Sequence, residues 1–81
     1  MEKTHNLKIK PEHLIDLITG RKKAELRWND RNYKVGDTIV FYEYGFLCKI
    51  THITNFPEAL HDGYVCLSVT KPIIILEESN D

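Results

Sequence analysis

No apolar run in this chain approaches the ~20 residues needed to cross a bilayer. The opening Met1-Glu2-Lys3-Thr4-His5-Asn6 lacks the apolar core of a signal peptide. Net charge is nearly absent as well: 11 Lys plus Arg against 12 Asp plus Glu give −1. That balance disfavours indiscriminate polyanion binding, which needs a strongly basic chain. Glycine is too scattered (Gly20, Gly36, Gly45, Gly63) to form a phosphate-cradling loop. Cysteine is scarce: Cys48 and Cys66 lie in strand-like apolar stretches and read as small buried hydrophobes in a reducing compartment, not as a disulfide. Cys48 and His52 are close in sequence, but on a strand they stand about 13 Å apart, too far for one metal ion. No other Cys/His grouping has ligand spacing, so neither metal nor cofactor is expected. These absences describe a cytoplasmic protein with no membrane partner.

What is present is an ordinary globular composition, 42% hydrophobic and 28% charged. The 81 residues suffice for one domain, expected over residues 1–76, with 77–81 a flexible acidic tail. A domain this small buries only about 60–65% of the surface its unfolded chain exposes, which favours an external cleft over an enclosed active site. Charge is unevenly spread: residues 1–34 carry nine basic and five acidic side chains, residues 35–81 two and seven.

Thr4–Lys10 alternates around Leu7 and Ile9 and reads as a short strand. Pro11 suits a first helical position, Glu12 complements the helix dipole, and Leu14, Ile15, Leu17 and Ile18 form an apolar stripe that Gly20 terminates. A helix over 11–19 follows. The period then changes to 2, with Ala24, Leu26 and Trp28 on a dry face and Lys23, Glu25 and Arg27 on a charged one. Further strands are predicted over Thr38–Tyr44, Phe46–Thr54, Tyr64–Thr70 and Ile73–Leu76, with a loop over Phe56–Asp62. One early helix and several short strands suggest a mostly β, α+β fold: a small, mostly antiparallel barrel with the helix plugging or flanking one end.

The densest polar information lies in Gly20–Arg27. Lys22 emerges where helix and strand meet, and the strand period projects Glu25 and Arg27 to one side, about 7 Å apart. An arginine fork beside a carboxylate can hold a phosphate or a base edge; a solvated strand face with weak ion pairs uses the same residues. Ile39 and Phe41 define the inward face of their strand, and Glu43 shares their parity. Such a carboxylate needs a basic partner, for which Arg27 and Arg31 are the candidates. Trp28 shares a face with Ala24 and Leu26 and reads as core; Tyr42 and Tyr44 lie opposite Ile39 and Phe41, one of them exposed.

Gly20, Lys22, Glu25 and Arg27 match the G-x-K-x-x-E-x-R signature of the ASCH domain, a branch of the PUA-like superfold. Leu7-Lys8-Ile9, Pro11-Glu12, Asn29-Asp30-Arg31, Val35-Gly36-Asp37, Glu43-Tyr44 and Gly63-Tyr64-Val65 extend the likeness to the short, stand-alone bacterial and phage branch of unknown function. The resemblance implies a small PUA-like barrel whose cleft between helix and sheet is lined by the signature residues and binds RNA. Some ASCH proteins are amidohydrolases on acetylated cytidine, using the signature lysine and a threonine nucleophile. Lys22 matches the lysine, but Glu25 stands at the threonine position and cannot supply a hydroxyl. The leading expectation is therefore a module binding RNA or a nucleotide-like ligand through Lys22, Lys23, Glu25, Arg27, Arg31 and Glu43. A small amidohydrolase using Lys22 and Glu25 on an acylated nucleoside, and an adaptor that meets a protein partner through an exposed sheet edge or the acidic C-terminal half, are the alternatives.

Overall fold

A computed structural model describes residues 1–55 and 63–76; the loop expected over 56–62 and the tail over 77–81 lie outside the described residues. Chain order is β1 (Thr4–Leu7), α1 (Pro11–Thr19), β2 (Ala24–Trp28), β3 (Thr38–Phe41), β4 (Phe46–Thr54), β5 (Tyr64–Val69) and β6 (Ile73–Ile74). The fold is thus mostly β with one short helix. Among the described residues no helix is long and apolar enough to cross a membrane.

Helix α1 begins at Pro11 after an extended Lys10 and stops at Gly20, whose left-handed backbone (φ 79°) directs its N–H to the Leu17 carbonyl. It buries Leu14 and Leu17, while Ile15 faces out. The strands form one sheet in the order β1-β3-β4-β5-β2, with β6 on β4. β1 and β3 run parallel, Thr4 opposite Thr38 through Leu7 opposite Phe41; all other pairs are antiparallel. β4 links the two halves of the sheet. Its first residues pair with β3, its later ones with β5, and the register slips between Ile50 and His52. Such a bulge bends the strand and increases its twist, so the sheet curls into a half-barrel. Ile39, Phe41, Cys48, Ile50, Val65 and Leu67 fill the concave side.

Asp37 pins the N-terminal strand. Its carboxylate, fully buried, accepts from His5 Nε2 (2.8 Å), the Lys3 N–H (3.0 Å) and the Lys34 N–H (3.0 Å). These bonds, that of His5 foremost, hold the carboxyl at about 2, below its ordinary 3.8. His5 in turn meets the ring of buried Tyr33 edge-on, centroids 4.8 Å apart.

Three expectations require correction. β1 ends at Leu7, and β3 ends at Phe41 because the N–H groups of Tyr44 and Gly45 both bond to the Phe41 carbonyl and close a hairpin loop. Glu43 therefore sits in a turn, exposed, and forms no ion pair among the described residues. The third correction concerns β2, whose faces are reversed: Glu25 is buried (6% exposed), whereas Leu26 and Trp28 are 53% and 52% exposed. Strand alternation defines two faces without saying which is inward. Here the inward carboxylate is tolerated because two cations neutralise it.

Candidate functional site

The turn out of α1 brings the Lys22 ammonium onto β2. Lys22 Nζ donates to Glu25 Oε1 (2.7 Å), and Arg27 Nη2 donates to Glu25 Oε2 (3.2 Å) and to the Lys8 carbonyl (2.7 Å). The Glu25 side chain is buried, with Lys22 and Arg27 partly solvated on either side. The expected cation, anion and guanidinium therefore converge. Both carboxylate oxygens are occupied, so Glu25 serves to aim and neutralise its neighbours; a proton-transfer role would first require those bonds to break. Arg27 keeps Nη1 and Nε without a partner among the described residues.

The triad separates two kinds of space. Lys22 and Lys23 face a hollow of about 230 Å³ with an apolar floor, beside Leu17, Val69 and Lys71. Arg27 instead lines a cleft of about 330 Å³ with Lys8, Trp28, Arg31, Tyr33 and Tyr42. Asp30 is the acid on this cleft's wall. Arg31 reaches it because the 29–32 loop is folded back: Asn29 Oδ1 accepts from the Tyr33 N–H (3.2 Å), and Asn32 adopts a left-handed φ of 51°. Burial pushes the Tyr33 phenol up, opposed by the Arg27 and Arg31 cations. Thus Arg27 and Arg31 share one cleft, Lys22 and Lys23 another, and Glu43 belongs to neither group of lining residues.

Sequence reasoning missed the aromatic component. Trp28 is mounted on the outer face by two neighbours. Its ring meets Tyr64 edge-on at 5.1 Å, and it lies so close over Gly63 that a Cβ there would come within 2.7 Å of Cη2. Gly63 is also left-handed (φ 86°), a conformation that strains other residues. Trp28 is consequently held with about half its surface in water, in a cleft it lines together with Arg27, Arg31 and Tyr42, itself 50% exposed. The charged residue types interleaved on β2 carried one signal of this arrangement: if Glu25 and Arg27 face inward, Trp28 must face outward.

Comparison with known proteins gives a consistent picture. An uncharacterized 12.9 kDa protein from the GpA 3' region of Escherichia phage P2 is 35% identical in an alignment of 75 residues, covering 83% of this chain and 68% of that protein. The crystal structure of hypothetical protein PH0355 superposes with a TM-score of 0.65 over 90% of this chain and 100% of its own, at 21% identity, a likeness of fold. The family model described as a domain of unknown function, DUF3850, matches residues 4–69, spanning β1 to the end of β5. The chain belongs to the DUF3850 family.

Proposed function

We propose that this protein is an ASCH-type, PUA-like barrel that binds single-stranded RNA or a nucleotide-like ligand in the cleft walled by Arg27, Trp28, Arg31 and Tyr42. One observation carries the reading: an exposed tryptophan packed against Tyr64 and Gly63 lines the same cleft as two arginines, one of which has guanidinium N–H groups without a partner among the described residues. Single-strand binders combine an aromatic face, on which a base stacks, with cations that follow the phosphates. In this scheme Trp28 stacks a base, Arg27 and Arg31 contact phosphate, and Lys8 adds point charge. Glu25 positions Arg27, with Lys22 balancing the remaining charge. The signature motif thus acts partly as a foundation, and the contact surface lies on the Arg27 side of it.

Fluorescence anisotropy with labelled single-stranded RNA octamers, over a series of salt concentrations, tests the reading. Arg31→Ala should lower the slope of log K against log salt by about 0.7, the loss of one single-strand phosphate contact. Trp28→Leu should weaken binding by roughly 5- to 150-fold with little change in slope, equivalent to losing about 1–3 kcal/mol of stacking. Absence of binding at low salt, or affinity unchanged in both variants, would remove the cleft from the function.

A further inference from the structure

Strand β2 ends the order β1-β3-β4-β5-β2, so among the described residues one of its two edges has no strand beside it. Two hydrogen bonds flanking its ladder identify that edge. The Val69 N–H bonds to the Lys23 carbonyl (3.1 Å), and the Asn29 N–H to the Gly63 carbonyl (2.6 Å). Register is unbroken between them, from Ala24 opposite Ser68 to Trp28 opposite Tyr64. Antiparallel ladders alternate bonded and non-bonded pairs. Odd-numbered residues 23 to 29 therefore bond to the β5 side, and Ala24, Leu26 and Trp28 turn their backbone groups away from it. Of these, the Trp28 carbonyl accepts from the Asp30 N–H (2.8 Å). The N–H groups of Ala24, Leu26 and Trp28 and the carbonyls of Ala24 and Leu26 have no partner among the described residues.

The side chains of Leu26 and Trp28 on this edge strand are about half exposed. Natural sheets blunt such edges with proline, bulges, very short strands or a covering segment. β2 has five residues, no proline and no bulge, and its inward-pointing charges, Glu25 and Arg27, are paired with each other. Beside it lies an open hollow of about 380 Å³, with Leu26, Trp28 and Tyr64 presenting apolar surface and Lys8, Lys10 and His13 presenting exposed basic groups. Lys8, Lys10 and His13 form no ion pair among the described residues. Glu25 is the acid in the lining, and its charge is already met by Lys22 and Arg27. Among the described residues the hollow thus combines unpaired backbone groups, an apolar strip and a rim carrying the Lys8 and Lys10 charges.

We infer that the β2 edge is a docking site for an extended acidic peptide segment of a partner protein, which adds to the sheet as a strand beside Ala24–Trp28. Backbone bonds to Ala24, Leu26 and Trp28 supply the pairing. Alternate apolar side chains cover Leu26 and Trp28, and the intervening carboxylates meet the rim of Lys8, Lys10 and His13. This surface shares Lys8, Arg27 and Trp28 with the nucleic-acid cleft, but pairing requires a peptide backbone, whereas Arg31 and Tyr42 line only the cleft.

The test uses the full chain, ¹⁵N-labelled, with a seven-residue alternating Glu-Val peptide at neutral pH. Saturable shifts of the Ala24, Leu26 and Trp28 amides are expected, with at least about tenfold weaker binding of the alternating Lys-Val peptide. The same loss is expected for a Glu-Val peptide N-methylated at alternate residues, which keeps its charge but cannot pair. Leu26→Glu, at an exposed position that tolerates a polar side chain, should weaken the unmodified peptide by a similar factor. In the free protein, amides of Leu26 and Trp28 should exchange with deuterium at least about tenfold faster than those of Glu25 and Arg27. Equal binding of the N-methylated peptide, shifts confined to Arg31 and Tyr42, no shifts at millimolar peptide, or slow exchange at Leu26 and Trp28 would each overturn the inference.

Discussion

Replacing Glu25 by glutamine removes one charge from the centre of the Lys22–Glu25–Arg27 group while keeping shape and some hydrogen-bonding capacity. The bonds concerned are 2.7 Å to Lys22 and 3.2 Å to Arg27, around a carboxylate that is 8% exposed. Removing one partner of a fully buried ion pair typically costs about 3–5 kcal/mol, because the remaining charge is stranded. Here the stranded cations are 30% and 21% exposed and can rehydrate, so the loss is discounted to roughly 1.5–3 kcal/mol. In a domain of this size that corresponds to a fall in Tm of roughly 6–24 °C. Urea unfolding followed by far-ultraviolet circular dichroism measures it, and a cycle with Arg27→Met isolates the pair. Arg27→Met should cost about 1–2 kcal/mol less in the Glu25→Gln background than in the wild type. Stability within about 0.5 kcal/mol of wild type, with no coupling in the cycle, would refute the view that Glu25 anchors Arg27.

Gly63→Ala should destabilise by about 1–2 kcal/mol, since the residue is left-handed and its Cβ would meet the Trp28 ring; a shifted emission spectrum from the single tryptophan would report the displaced indole. Asp37 binds fewer protons folded than unfolded between its ordinary 3.8 and its native value of about 2. Stability should therefore be complete above about pH 5 and fall as acid passes through that window; urea midpoints measured from about pH 6 to pH 2 should show a shallower dependence in Asp37→Asn. Burial, reinforced by the Glu25 charge, pushes the Cys48 thiol up to about 12, whereas Cys66 is partly exposed. A thiol reagent at about pH 8 should label Cys66 at least about 100-fold faster than Cys48 in the folded protein, with the difference lost in urea.

Much of the secondary structure was readable because local signals agreed. Pro11 and Gly20 bracket α1, and Gly45 begins β4 at Phe46, as the sequence pattern indicated. The topology was less legible. The parallel pairing of β1 with β3 brings together segments separated by the helix and β2, and no local pattern encodes such a long-range choice. Convergence of Lys22, Glu25 and Arg27 followed from the turn and the strand period, yet the same period left inside and outside undetermined. Treating Trp28 as core assumed that apolar side chains win the interior. At β2 a neutralised carboxylate took that place, leaving the tryptophan outside against Gly63 and Tyr64. Glu43 failed for a different reason: strand parity was carried past Phe41, where the chain had already turned.

The indole N–H of Trp28, the chain's single tryptophan, gives one NMR resonance inside the proposed binding cleft. Titrating the ¹⁵N-labelled protein with a single-stranded RNA hexamer reads that resonance directly. Stacking of a base on Trp28 requires a saturable shift, accompanied by the Arg31 and Tyr42 amides and diminished in Arg31→Ala. An indole resonance that stays fixed at saturating RNA, while signals elsewhere move or none do, would contradict ligand binding at this cleft.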